Sequence, residues 1–127
     1  MLKEDAGEPG PNRHPFDLEE RTAKFGEAIV KFSKKIPRDP TNNRLIDQLV
    51  GAGTSVGSNY HEANASVSGK DFRFSVSRSL KEAKETKFFL RMVAASESEL
   101  APEARELYRE ANELQLIFAE MYNKKKR

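Results

Sequence analysis

The chain has 127 residues, enough for one domain with a substantial core. Hydrophobic residues make up 37% of it and charged residues 33%, the balance of a helical bundle with solvated outer faces. There is no cysteine, which excludes disulfides and thiolate metal sites and suits a reducing cytoplasm; the net charge of +2 is too small to argue for nucleic acid, so that case rests on where the charges sit.

Residues 1–16 carry Gly7, Pro9, Gly10, Pro11 and Pro15 without periodicity and read as a flexible tail. The tail has no apolar h-region of a signal peptide, and no apolar run in the chain is long enough to span a membrane. A first helix is expected over 17–36. Asp17 serves as N-cap with Glu20 three residues on and Phe16 as a staple, and Leu18, Thr22, Phe25, Ile29, Phe32 and Ile36 form one face. Pro37 and Pro40 end it. A second helix, over 40–65, starts from Asp39 as N-cap and Pro40 at the first helical position, with Leu45, Leu49, Ala52, Val56, Asn59 or Tyr60, and Ala63 on one face. After a turn at Ser66–Gly69, Ser68 and Asp71 form a capping box for a third helix over 69–97, whose core face is Phe72, Val76, Ser79, Ala83, Thr86, Leu90 and Val93. Pro102 opens a fourth over 102–123, with Glu103 and Glu106 near its start and Ala104, Leu107, Ala111, Leu114, Phe118 and Met121 facing inward. Residues 124–127 are a basic tail that suits a helix C-terminus. Four amphipathic helices with short connections and no competing strand signal predict an all-α, up-down-up-down antiparallel four-helix bundle.

The second helix contains GAGTSVG, Gly51 to Gly57, which has the look of a phosphate-binding loop. A Walker loop needs Gly-Lys-Ser/Thr, but Gly57 is followed by Ser58 and Asn59, and no Lys or Arg occurs between Arg44 and Lys70. The dinucleotide fingerprint needs its third glycine one position earlier, after a strand. The stretch instead lies within a helical period. Gly53 and Gly57, four apart, are therefore expected to let a neighbouring backbone come close.

The segment LVGAGTSVGSNYHEANASVSGKDFRFSVSRSLKEAKE resembles the central signature of the bacterial four-helix-bundle proteins encoded in intervening sequences of 23S ribosomal RNA genes. Ser55, Val56, Asn59 and Glu62 match its first block, Lys70-Asp71-Phe72 its second, and Ser79, Leu80 and Glu82 its third. The resemblance covers residues 17–123. It departs from the family at Tyr60, where Ile is usual, at Ala63, where Gly is usual, and at Arg78, which replaces the Gly before Ser79. It implies a small antiparallel bundle that assembles into a ring, typically a homopentamer. A related branch, the accessory proteins of diversity-generating retroelements, pairs with a reverse transcriptase and binds nucleic acid through basic surfaces. The intervening-sequence branch carries no established biochemical activity.

Three sets of residues are candidate sites. Ser55, Asn59 and Glu62 form a ridge on the second helix, while Glu82 and Glu85 share a flank of the third. A di-iron site there would need Glu-x-x-His pairs, and neither His14 nor His61 has Glu three residues before it; with no Cys and His61 the one plausible imidazole, nucleophilic catalysis is no better placed, so the expectation is a structural polar network with no cofactor and no catalysis. On the third helix, at about 100° per residue, Lys70, Arg73, Lys81, Lys84 and Arg91 fall within an arc of about 80° opposite the core, with Lys87 just outside. Phe74 and Phe88 point into the same arc. Phenylalanines among cations fit a base-stacking platform for RNA or DNA, and equally a subunit interface with apolar anchors and a charged rim. Tyr108 and Tyr122 on the fourth helix are further anchors. The expected function is that of a non-catalytic, self-assembling, nucleic-acid-associated accessory protein; the competing one is an oligomeric scaffold for protein partners alone.

Overall fold

The computed structural model describes residues 15–126, which form helices α1 (Pro15–Ser33), α2 (Pro40–Ala65), α3 (Gly69–Ser96) and α4 (Ala101–Lys126), with one 3-10 turn, Ser98–Leu100, ahead of α4. Of the tail expected over residues 1–16, residues 1–14 lie outside the described residues and 15–16 belong to α1; the side chains of 15–16 and of the basic end, 125–127, also lie outside them. Among the described residues α1 packs on α2, α2 on α3, α3 on α4, and α4 back on α1, so α1 stands diagonally across from α3. This is the expected bundle. None of its helices is long and apolar enough to cross a membrane.

The ends of the helices follow their capping chemistry. Asp39 is extended and its carboxylate accepts the Asn42 N–H at 2.7 Å, with Pro40 following it. The Ser68 hydroxyl accepts the Asp71 N–H at 3.1 Å. α1 differs: it begins at Pro15, which places Asp17 within the first turn instead of at the cap, where its charge still suits the helix dipole. Its other end stops at Ser33, and the chain tightens into i→i+3 bonds from Lys35 to Phe32 and from Ile36 to Ser33. Pro37 disfavours a helical Ile36, yet the turn still buries that side chain.

The core is the set of inward positions: Phe25, Ile29 and Phe32 from α1, Leu49, Val56 and Tyr60 from α2, Val76, Leu90 and Val93 from α3, and Leu114 and Phe118 from α4. Tyr60 fills the centre against Phe118, their rings 5.5 Å apart. Burial pushes its hydroxyl pKa up. Ser79 is fully buried at the α2–α3 crossing, and its hydroxyl donates to the Val56 carbonyl at 2.9 Å. The neighbouring Arg78 leaves the crossing free by turning outward, where its Nε donates to Asn59 Oδ1 at 3.1 Å.

The α1–α2 crossing depends on glycine. A Cβ on Gly53 would lie 2.7 Å from Ile29 Cγ2, and one on Gly57 would lie 3.2 Å from the Thr22 carbonyl oxygen, while one on Gly51 would meet nothing within 4 Å. Gly53 and Gly57 are thus packing positions, and Gly51 is not.

Two polar clusters tie the ends together. Asn42, completely buried, donates through Nδ2 to the Pro37 carbonyl at 2.9 Å and to Glu97 Oε2 at 2.8 Å, and accepts the Ser96 hydroxyl at 2.6 Å. It fastens the α1–α2 connection to the end of α3. On the α1–α4 side, Arg21 donates to both Glu110 oxygens, at 2.7 and 2.8 Å, and to Glu113 at 2.9 Å, and Lys35 pairs with Glu103 at 3.0 Å. Hydrogen bonds to Glu110 hold the Arg21 pKa above its ordinary value.

Two glycines of α2 should respond to alanine with opposite signs. Gly51→Ala should stabilise by about 0.5–1 kcal/mol, the helix propensity alone. Gly53→Ala, which must displace the core side chain of Ile29, should destabilise by about 1–3 kcal/mol. Urea denaturation of the single variants checks this, and equal effects at 51 and 53 would contradict the packing account.

Candidate nucleic-acid and subunit interface

The outer face of α3 is built by the same spacing that builds its core. With Val76, Ser79, Ala83, Thr86 and Leu90 turned inward, the residues half a turn away must face water. Phe74 is 61% exposed and Phe88 53%, large apolar rings that nothing in the bundle covers. Phe88 stands edge-on to the half-buried Phe89, ring centroids 5.2 Å apart, and the Arg78 guanidinium lies 5.8 Å from the Phe74 ring.

The six cations expected on this face divide into two groups. Lys70, Lys84 and Arg91 are exposed and have no side-chain partner among the described residues, and Lys81 makes only a loose i,i+4 contact with Glu85 at 4.0 Å. Arg73 and Lys87 are drawn toward α4. Arg73 lies over the Tyr122 ring at 4.0 Å and reaches the Tyr122 carbonyl at 3.5 Å. Lys87 donates to Asn112 Oδ1 at 2.8 Å and Gln115 Oε1 at 3.0 Å, with Tyr108 5.1 Å away. Both are half-buried, so their charge is committed to the α3–α4 seam. Tyr108, 38% exposed, sits on the edge of the face under Lys87, and Tyr122 is covered by Arg73.

Additional residues widen the surface. On α4, Leu116 is 59% exposed, and Arg105 and Arg109 are also exposed. All three fall off the core stripe of α4, a signal the helical wheel carries. Val67, almost fully exposed, marks the tip of the α2–α3 turn.

The polar ridge is brought together only in part. Asn59 donates to the Ser55 carbonyl at 2.8 Å and accepts from Arg78, linking α2 to α3. Glu62 is exposed one turn further on, without a side-chain partner among the described residues. Glu82 is half-buried on the α2 side of α3, and its carboxylate has no hydrogen-bond partner among the described residues. Burial, followed by the nearby Glu85, raises its pKa against the opposing pull of Lys81 and Arg78. His61 Nδ1 lies 3.2 Å from Glu19 Oε2, on the opposite side of α2 from this ridge. Among the described residues no three His, Asp or Glu side chains converge as metal ligands would.

A second surface feature lies on the outer side of α1 and α2. There an open groove of about 530 Å³ runs over their crossing, floored by Ala23, Gly26, Val30, Thr54 and Gly57. Its walls are low because these positions carry small side chains or none.

The Glu82 environment has a pH consequence. Its folded pKa is raised, so its contribution to stability is present below the unfolded value of about 4.3 and is lost as pH rises through the folded value. Glu82→Gln should therefore melt at a higher temperature than the wild type at neutral pH, and the two should converge in acid below the unfolded value. Thermal melts across that range check the sign; a variant less stable at neutral pH would show that the carboxylate is held by a favourable interaction.

Comparison with known proteins gives the relationship. No protein of curated function matches the sequence. A solved structure, that of a protein of unknown function from the S23 ribosomal protein family of Bacteroides thetaiotaomicron, superimposes with a TM-score of 0.78 over 86% of this chain and 97% of that one, at 22% identity. At that identity the likeness speaks for the fold. The family model described as 23S rRNA-intervening sequence protein matches residues 16–120. The match takes in all four helices, the glycine crossing and the Ser79 contact, and the chain belongs to the 23S rRNA-intervening sequence protein family.

Proposed function

We propose that this protein is a non-catalytic, self-assembling bundle that acts as a nucleic-acid-associated accessory or structural protein, with the outer face of α3 as its working surface. The observation that carries this reading is the pair Phe74 and Phe88, exposed among cations that no acid among the described residues neutralises closely. Burying each phenylalanine against a neighbouring copy is worth about 1.5–3 kcal/mol. The cations beside them, Lys84 and Arg91 on the flank nearer α4, then give an assembled particle a repeated basic surface. Nucleic acid held there is held by its phosphates. The strip has no Asn or Gln among its cations to read base edges, so binding is tolerant of sequence. The protein partner that fits this role is an enzyme working on nucleic acid, a reverse transcriptase by the resemblance noted above.

A second reading, a scaffold for protein partners without nucleic acid, draws support from the diversion of Arg73 and Lys87 to α4, which thins the strip. One set of measurements separates the two. The wild-type chain should sediment as an oligomer, and Phe74→Ser with Phe88→Ser should yield a monomer with an unchanged far-UV circular dichroism spectrum. The assembled protein should retard RNA or DNA at low salt. Its affinity should fall with a log–log slope of about 0.9 per phosphate contacted on B-DNA. Lys84→Glu with Arg91→Glu should remain assembled and lose that retardation. A wild-type monomer at micromolar concentration would end the self-assembly reading, and an oligomer that retards no nucleic acid at low salt would leave the scaffold in its place.

A further inference from the structure

Two exposed apolar features, the phenylalanine ridge and the α1–α2 groove, lie on helices placed so that one copy can fill the other. α3 is diagonal to α1 in the bundle, so the ridge and the groove face away from each other and cannot meet within one chain. Their dimensions correspond. Phe74 and Phe88 are about 21 Å apart along α3, at about 1.5 Å per residue. The α1 wall of the groove, Glu19 to Lys31, runs about 18 Å by the same measure. Their chemistry also corresponds. The groove floor is apolar and low, and its rim carries Glu27 and Glu19, the latter already held by His61 and Asn64, with Lys31 at one end. The ridge carries Arg78 and Lys81 between its two rings, both exposed.

Gly26 adds an independent point. A glycine within a helix weakens it relative to alanine. A Cβ at position 26 would come no closer than 3.6 Å to Thr54 Cα, an ordinary contact, so nothing within the chain requires glycine there. Its absence of a side chain keeps the groove floor deep.

A contact between two α3 faces is disfavoured by the same charges. It would set Lys70, Lys81, Lys84 and Arg91 of one copy against the same four of the other, with few acids between them. Resting on the self-assembly proposed above, we infer that the α1–α2 groove is the seat for Phe74 and Phe88 of a second copy of this chain, giving a head-to-tail interface. Such an interface joins two different patches and generates a ring or an open filament, where a two-fold contact stops at the dimer.

Complementation of two broken chains tests this. One chain carries Ala23→Arg, or independently Thr54→Arg, both exposed positions that block the groove and repel the ridge while leaving Phe74 and Phe88 intact. The other carries Phe74→Ser and Phe88→Ser and keeps its groove. Circular dichroism confirms that each is folded. Each chain alone should sediment as a monomer, and an equimolar mixture should form a complex of one copy of each and nothing larger. The two groove variants lie on different helices, so a folding defect in one leaves the other to decide. Groove variants that assemble as the wild type does, or a mixture that remains monomeric, would overturn the inference. In the first of these outcomes the phenylalanine variant still dissociates and self-assembly through α3 stands by another geometry; a monomeric wild type removes both.

Discussion

The close approach of α1 and α2 at Gly53 and Gly57 is the constraint on which the rest of the bundle depends. α1 is held on its other side largely by ion pairs, Arg21 with Glu110 and Glu113 and Lys35 with Glu103, at the solvent edge of a thin seam. Such exposed or half-exposed pairs contribute little each. The apolar share of α1's attachment therefore falls on Ile29, Phe25 and Phe32, and Ile29 can reach the centre only because Gly53 offers no side chain in its path. A helix-weakening residue in the middle of α2 is compensated by the core side chain it admits. The same small positions, seen from outside, floor the surface groove. Packing inside and shape outside thus have one cause.

Around this apolar core, a few buried polar groups fix register where oily contacts are indifferent to sliding. Ser79 bonds the Val56 carbonyl at the α2–α3 crossing, and Asn42 satisfies both of its amide donors and its carbonyl oxygen at the opposite end. A one-turn slip of α3 would leave these groups buried without partners, at about 1–3 kcal/mol each. Glu82 shows the other side of this economy: half-buried without a hydrogen-bonding partner, it is tolerated because it remains close enough to solvent and to Lys81 and Arg78.

How much of this the sequence disclosed follows from how local each feature is. The core stripes were legible because each depends only on spacing within one helix, and so were the caps at Asp39 and Ser68, whose partners lie three residues away. The packing role of Gly53 was legible because no other explanation of a glycine inside a helical period survived. Asn42 was not, since Glu97 and Ser96 are 55 and 54 residues distant and nothing near position 42 announces them. The helical wheel placed Arg73 and Lys87 at the edge of the basic arc but could not show that their long side chains fold back onto Tyr122 and toward Tyr108. The groove was invisible for a different reason. It is an absence of side chains distributed over two helices, and only their pairing makes it a surface.

The bundle's cross-section determines what its two apolar surfaces can build. The ridge on α3 and the groove on α1 and α2 are held at a fixed relation by the four-helix frame, so in the proposed assembly the angle from one copy to the next would be set by helix crossings, not by the interface residues themselves. The most adjustable of those crossings is the α1–α4 seam, where charged side chains span what apolar contact does not. Its key cation, Arg21, has a pKa raised by its carboxylate partners and stays charged across the physiological range, so the seam does not loosen by losing that charge. Salt, in contrast, screens both this seam and the cations of α3. The frame's geometry and the affinity of its basic face are thereby linked to the same variable, ionic strength, through different residues. The proposed apolar contact of phenylalanine with groove would be the component that screening leaves unchanged.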